Sequence, residues 1–428
     1  MVSCLKKAMF LALTLVLLSL FIPAQAQEIP AAYKSKTRVT MGAFGTVSSL
    51  CLYDDYSQPG ALARHDRVWE EIKRVLEELD LLLSVSIPSS EIARFNTLES
   101  GGEMPISDQT AEVFMTARKI YEQTQGHFDP TVYPLVDLWG FSPRFRLEEG
   151  EDMPYDRPWQ DGTRPMPEQK YIDGFLKLTG LEGILLQGDA QSGYTLRKNT
   201  PSVTIDGVTY HAQIDLGGIA KGYAADIVAQ MLEAEGYEYG YFSCGSSSMR
   251  LMKSASAGAK KTGDTAFSLQ VRNPRRGEEG GDAYALVKAM DQSLSSSGDY
   301  DDNYETPGGM ACHIIHPKTG YPLNFAEDGV QRGVSTVTLL SGSAAEDDAL
   351  TTALCLMGPV GAIEYINKNL RGHSVALVLY RADSDIYEVV TNIPEGGLEI
   401  LEDEFVIASR VDDQGNVVYT GELFRESP

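Results

Sequence analysis

The chain is 428 residues long, 43% hydrophobic and 22% charged, enough apolar material to bury a substantial core and too much for intrinsic disorder. Lysine and arginine number 36 against 60 aspartates and glutamates, so the net charge is −24, which argues against nucleic acid or an anionic membrane surface as the principal partner. An anionic substrate would need local help from a cation.

The first 26 residues read as a targeting segment. Lys6 and Lys7 precede the apolar run "AMFLALTLVLLSLFI", which ends in "PAQAQ" with small residues at Ala24 and Ala26, so export and cleavage before Gln27 are expected. An uncleaved anchor is the weaker alternative, because the run is short for a span. Cys4 lies ahead of the run and so is not a lipid-attachment cysteine at the cleavage site. Cys51, Cys244, Cys312 and Cys355 are widely spaced with no CxxC pair, which gives no zinc signature and leaves their disulfide status open.

Helical periodicity is clear in "RVWEEIKRVLEELDLLL", which sets Val68, Ile72, Val75, Leu76, Leu79 and Leu82 on one face. A second helix follows Ser107, with Val113, Phe114, Ala117, Ile120 and Tyr121 inward and Gly126 as its stop. Residues 142–170, rich in Pro, Arg, Glu and Asp, read as a long surface loop before a short helix near "PEQKYIDGFLKL". The alternation in "GILLQG", "GYTLRK" and "SVTIDGVTYHAQIDL" predicts strands.

A buried helix should begin directly after Gly217 and Gly218, marked by Ile219, Tyr223, Ile227 and Met231. Strands are then expected in "YGYFSC", "AFSLQV", "YALVKAM", "QSLSSSG" and "GVSTVTLL", helices over Ala344 to Leu356 and around "VGAIEYINKN", and closing strands in "HSVALVLY" and "DIYEVV". Strands and helices mix without regular alternation, so the fold class is α+β rather than a doubly wound sheet.

Neither GxGxxG nor GxxxxGK[ST] occurs, which removes the two common nucleotide fingerprints. The stretch "DLGGIAKGYAAD", Asp215 to Asp226, is a Gly-rich turn entering a helix, a place where free N–H groups and the helix dipole can hold an anion. A tight turn followed by a solvated Lys221 is the plainer alternative. In "AAEDDALTTAL", Asp348 and Thr352 stand four residues apart and so share a helix face. Here the alternative is capping: Ser343 and Glu346 as a capping box, with Asp347 and Asp348 favouring the helix N-terminus. Three further stretches stand out: "MGAFGT" from Met41, "GHFDPTVYPLVDLWGF" from Gly126 and "HIIHPKTGYP" from His313.

In this order, and with "SGDY" at Ser297 to Tyr300, these stretches resemble the ApbE-type FAD:protein FMN transferase family over nearly the whole of residues 27–428. The resemblance implies one domain there, related to the T-fold, with mixed sheets, packed helices and FAD in a cleft between two lobes. It implies Mg²⁺-dependent cleavage of FAD, attachment of FMN through its phosphate to a threonine of an exported or membrane redox protein, and release of AMP. Location would be periplasmic or otherwise in the cell envelope. Carried over residue by residue, the metal would be held by Asp348, Thr352 and the carbonyl of Gly218. FAD would contact Met41, His127, Phe128, Asp129, Asp215, Lys221 and Ile315.

His313 would be the base or an orienter of the reacting groups, since histidine titrates near neutrality. For Phe128, ordinary core packing is the competing account, and for His313 a structural histidine. The chain departs from the family pattern at His316, where Asp is usual, in "CGSSS" from Cys244, and at Ser86, where a flavin-stacking tyrosine is frequent. An FAD pyrophosphatase yielding FMN and AMP, or a non-catalytic flavin-binding envelope protein, are the alternatives.

Overall fold

Nine strands build the central sheet, its middle strands buried on both faces, and they lie side by side in chain order: Lys34–Met41, Val47–Asp54, Gly240–Cys244, Ser248–Leu251, Gln292–Gly298, Arg332–Ser341, Ser374–Arg381, Tyr387–Thr391 and Phe405–Ile407. Neighbours pair antiparallel except for the last two, which are parallel. The structure is a computed structural model that describes residues 29–142, 155, 157, 163–275, 281–326 and 331–424. The expected targeting segment, residues 1–26, and most of the expected loop at 142–170 lie outside the described residues.

Alternation gives the sheet two cores. Leu50, Leu52, Phe242, Val337, Leu339 and Leu377 point to one face, where the helices Ala61–Leu83, Asp108–Gln123, Gly217–Ala234 and Ala344–Leu356 form a layer. Leu251, Leu294, Leu340, Val378 and Val389 point to the other face, covered by a small sheet of Phe267–Arg272, Ala283–Ala289 and Leu398–Ile400. Each fully buried leucine of this kind contributes about 1.5–3 kcal/mol. The architecture is mixed α+β, several sheets with packed helices.

Most expected elements form, with informative differences at their edges. The first long helix starts at Ala61, ahead of Arg67, and His65 carries the buried stripe back by most of a turn from Val68, while Val75 and Leu82 are only partly covered. Ser107 caps the second helix by accepting from Thr110 N at 3.2 Å, and Gly126, at φ +76°, closes it by donating to Tyr121 O at 2.8 Å. The "SVTIDGVTYHAQIDL" stretch is strand only at Val203–Ile205 and Val208–Tyr210, a hairpin turned at Asp206 (φ +52°) and Gly207 (φ +82°). Beyond it, Asn96 replaces a ladder partner: its side chain donates to Ile214 O and accepts from Ile214 N, both at 2.8 Å. The first two strands of the sheet and the Tyr133–Trp139 helix are additions to the sequence-based expectation.

Candidate functional site

The site grows from the crossing of the Gly217–Ala234 and Ala344–Leu356 helices. The first carries small residues where it meets the second, and an added Cβ at Gly222 would fall 2.0 Å from Ala344 O. That close approach lets the Gly222 N–H donate to Asp348 Oδ2 at 3.1 Å. Asp348 is 3% exposed, held against the neighbouring helix rather than out in solvent. One turn on, the Thr352 hydroxyl donates back to Asp348 O at 3.4 Å and lies 3.3 Å from Ser297 Oγ. Gly218 faces the same spot: a Cβ there would lie 4.0 Å from Thr352 Oγ1 and 3.2 Å from the Phe128 ring.

The capping alternative holds at the same time, with different residues. Ser343 Oγ accepts from Glu346 N at 3.3 Å, but the Glu346 carboxylate turns to Lys119, so the box is half made. Asp226, from the other helix, accepts from Ala344 N and Ala345 N at 3.0 Å each and from the Ser343 hydroxyl. Asp347 is buried under hydroxyls of Ser293 and Ser341, where burial raises its carboxyl to about 7. The cap therefore leaves Asp348 free for its partners on the Gly217–Ala234 helix.

Lys221 is not a solvated surface charge. Its side chain is 25% exposed, its Nζ donates to Gly217 O at 2.9 Å, and it lies 3.9 Å from Asp348 Oδ2. Gly245, in the "CGSSS" turn, faces the Lys221 stem and Thr46, and its N–H donates to Val47 O at 2.9 Å. The stretches from Met41, Asp215 and Cys244 thus meet beside the Lys221 stem. Asp215 accepts from Gly217 N at 2.7 Å and donates its own N–H to Pro130 O at 2.9 Å, which ties in the stretch from Gly126. Desolvation raises its carboxyl, and the charge of Lys221 opposes the rise.

Within that stretch, Phe128 is buried, 5% exposed, and packs under Gly218. Asp129 accepts from Thr131 N at 2.9 Å, Thr131 Oγ1 at 2.6 Å and Gly180 N at 3.0 Å, so its carboxylate fastens the turn. Burial raises it to about 6. His127 shares its Nδ1 with Thr124 O at 2.7 Å, and its ring meets His316 edge-on at 5.7 Å. Burial, with the neighbouring His127 and Lys318, lowers His316 to about 4, so the residue that replaces the usual Asp is neutral at pH 7.

His313 lies 3.0 Å by its Nδ1 from Asp301 O, and its N–H donates to Asp302 O at 3.1 Å. A carbonyl can only accept, so Nδ1 carries the proton and Nε2 is left with its lone pair. Burial lowers the ring's pKa, the nearby aspartates oppose this, and Lys221 adds to the lowering. Ile315 is buried beside it and bridges to Pro322. Met41 ends the edge strand 78% exposed, and Ser86 is exposed on the loop after the first long helix. All four described cysteines are buried free thiols. A cavity of about 300 Å³ beside Tyr223, Asp226 and Arg250 is lined by none of the residues expected in the site.

Ser297, Gly222 and Asp226 belong to this arrangement, and sequence reasoning gave none of them a role in it. Gly222 had a signal in the small residues Gly217, Gly218, Ala220, Ala224 and Ala225 around it, of the kind a close helix crossing requires. The donor set of Asp348 carboxylate, Thr352 hydroxyl and Gly218 carbonyl is all hard oxygen, which fits Mg²⁺ completed by water and phosphate oxygens. Among the described residues, no group of three or more His, Cys, Asp or Glu is placed to hold a metal.

A family model described as the ApbE family matches residues 44–377. The FAD:protein FMN transferase of Escherichia coli K12 is 29% identical over 329 residues, 77% of this chain and 81% of that protein. The FAD:protein FMN transferase of Haemophilus influenzae is 28% identical over 351 residues, 81% and 88% of the two chains. The solved structure of the flavin transferase ApbE from Vibrio cholerae aligns with a TM-score of 0.62 at 25% identity, covering 84% of this chain and 97% of that one. With a family model spanning most of its length and these relatives matching over most of theirs, the chain belongs to the ApbE family.

Proposed function

We propose that this protein is an exported FAD:protein FMN transferase that moves FMN from FAD to a threonine of an extracytoplasmic redox protein and releases AMP. The observation that carries the reading is the convergence, at one helix crossing, of Asp348, Thr352, Gly218 and Lys221 in a chain of the ApbE family. Asp348, Thr352 and the Gly218 carbonyl would hold Mg²⁺, which supplies positive charge to offset a pyrophosphate that a chain of −24 would otherwise repel. Lys221 adds a fixed positive charge beside that carboxylate. Asp215, Met41, His127, Phe128, Asp129 and Ile315 would line FAD between the sheet's helix layer and the loops from His313.

His313 Nε2 would take the proton from the acceptor threonine while that hydroxyl forms its bond to the FMN phosphorus. The anhydride bond then breaks, and AMP leaves with the electron pair. The central sheet draws strands from Lys34 to Ile407, which supports one domain over residues 27–428. The basic, apolar, small-residue pattern of residues 1–26 supports export with cleavage near Ala26.

The test is incubation with FAD, Mg²⁺ and a threonine-bearing acceptor domain from a flavinylated redox protein, followed by intact-mass measurement. A gain equal to FMN is the expected result. Release of FMN and AMP with no mass gain would replace the reading with a pyrophosphatase, and no turnover of FAD would leave a binding protein.

A further inference from the structure

His313 hangs from the far end of a turn that the small outer sheet grips. The chain leaves the Gln292–Gly298 strand, where Ser297 faces Thr352, passes Asp299 to Asp302, and returns through the hairpin Asn303–Thr306 and Gly309–Cys312 to His313. Asp299 is buried at 6% exposure and takes a fork of two bonds from Arg275, Nη1 to Oδ1 at 2.6 Å and Nη2 to Oδ2 at 2.7 Å. Ser335 and Asn324 each donate to the same carboxylate at 3.0 Å, which fills it. Arg275 also stacks on Tyr380 at 4.3 Å. Just before it in sequence, Arg272 pairs with Asp301 at 2.7 Å and covers the Tyr300 ring at 4.9 Å. Two arginines from outside the helix layer thus clamp both ends of the turn that presents Asp301 O to His313 Nδ1.

We propose that Arg275 is a positioning residue for the transfer reaction: through Asp299 it fixes the turn whose Asp301 carbonyl holds the His313 ring as its Nδ1–H tautomer, with Nε2 turned to the acceptor. The inference rests on the reading of His313 as the base. Its physical basis is that a bidentate, stacked arginine on a buried carboxylate is stiff in a way a single hydrogen bond is not. A ring hung from one carbonyl keeps its tautomer only while that carbonyl stays in place. The groups that face His313 are Asp301 and Asp302 from the turn and Lys221 from the helix layer.

The experiment compares wild type, Arg275→Gln, Arg275→Lys and Ser335→Ala by ¹⁵N NMR of the histidine rings and by the pH profile of FMN transfer, with the His313 signal assigned through His313→Gln. Wild type should show Nδ1–H for His313. Arg275→Gln should show mixed tautomers, lose about tenfold or more in kcat with little change in KM for FAD, and displace the acid limb of the profile from its wild-type position as the ring leaves the Asp301 carbonyl. Arg275→Lys keeps charge without the fork and should fall between. Ser335→Ala, which removes one bond and leaves the ion pair, should shift the same way by less, and it carries the test if Arg275→Gln does not fold. Wild-type tautomer and pH profile in the folded variants, with any loss of rate tracking a lower melting temperature alone, overturn the proposal. The ring spectrum needs no turnover, so a His313→Gln variant with full transfer would defeat the base reading while the tautomer test still reported on the clamp.

Discussion

Gly222→Ala puts a single methyl group into the tightest contact of the helix crossing. The new Cβ would meet Ala344 O at 2.0 Å, its carbonyl carbon at 2.4 Å and Ala345 N at 2.7 Å, all backbone atoms that cannot swing aside. Restoring even a 3.0 Å contact requires the helices to part by about 1 Å, and overpacking of this kind costs about 1–3 kcal/mol. Alanine returns up to about 1 kcal/mol through its better helix propensity, so the net loss of stability should be about 0–3 kcal/mol. Function is more exposed than stability. The same separation stretches the 3.1 Å bond from Gly222 N to Asp348 Oδ2 and draws Asp348 away from Gly218 and Lys221. A misplacement of about 1 Å at reacting groups can cost on the order of 100-fold in rate. Urea unfolding and FAD turnover measured on one preparation separate the two effects. Gly258→Ala, whose Cβ would touch only Ser256 Oγ at 3.7 Å, should be neutral or stabilising and serves as control. Full turnover in Gly222→Ala would refute the idea that this crossing sets the site.

Asp348→Asn can still accept from Gly222 N, so the fold should survive while most turnover is lost; AMP release titrated against Mg²⁺ checks this, and normal turnover at limiting Mg²⁺ would remove Asp348 from the metal site. Lys221→Met keeps the aliphatic stem and removes the charge beside Asp348, so FAD affinity or turnover should drop with little change in thermal melting. Unchanged fluorescence quenching by FAD and unchanged turnover would return Lys221 to a structural role. Asp129 is raised from 3.8 to about 6 by burial, so between those values the folded protein holds a proton that the unfolded chain releases. Its share of stability therefore falls as pH rises through that window, by up to about 1.4 kcal/mol per unit, and is flat above it. Asp129→Asn should lack this component, so the difference between the two proteins in urea stability at pH 4.5 and 6.5 isolates it, and equal differences at the two pH values would contradict the assignment.

The helices were legible because burial there repeats with a period the sequence displays: Val68, Ile72, Leu76 and Leu79 could be assigned inward from spacing alone. The first two sheet strands were harder, since Lys34–Met41 is an edge strand with no fully buried residue, and polar edge residues do not announce a strand. The end of "SVTIDGVTYHAQIDL" looked like strand because it alternates, yet the backbone N–H and C=O of Ile214 are satisfied by the Asn96 side chain, a partner far away in sequence. The site divides in the same way. Asp348 and Thr352 share a face by helical geometry and needed only local sequence, whereas Ser297, Asp226 and the Arg275 clamp come from tertiary pairing that no local period encodes.

The three consecutive acids of "EDD" show why two accounts of one stretch need not compete. Successive residues on an α-helix point about 100° apart, so Glu346, Asp347 and Asp348 must leave the axis toward three different neighbours. Glu346 reaches Lys119, Asp347 turns to the sheet hydroxyls of Ser293 and Ser341, and Asp348 turns to Gly222. Four residues on, the helix returns to the direction of Asp348, and there the chain places Thr352. Helix-end electrostatics are met by Glu346, by Asp347 and by Asp226 reaching across from the other helix. The carboxylate at 348 is thereby spared from capping, and its neighbours are instead the Gly222 N–H of a glycine-lined helix face and the Lys221 ammonium, which leaves available for a ligand a charge that a helix cap would have consumed.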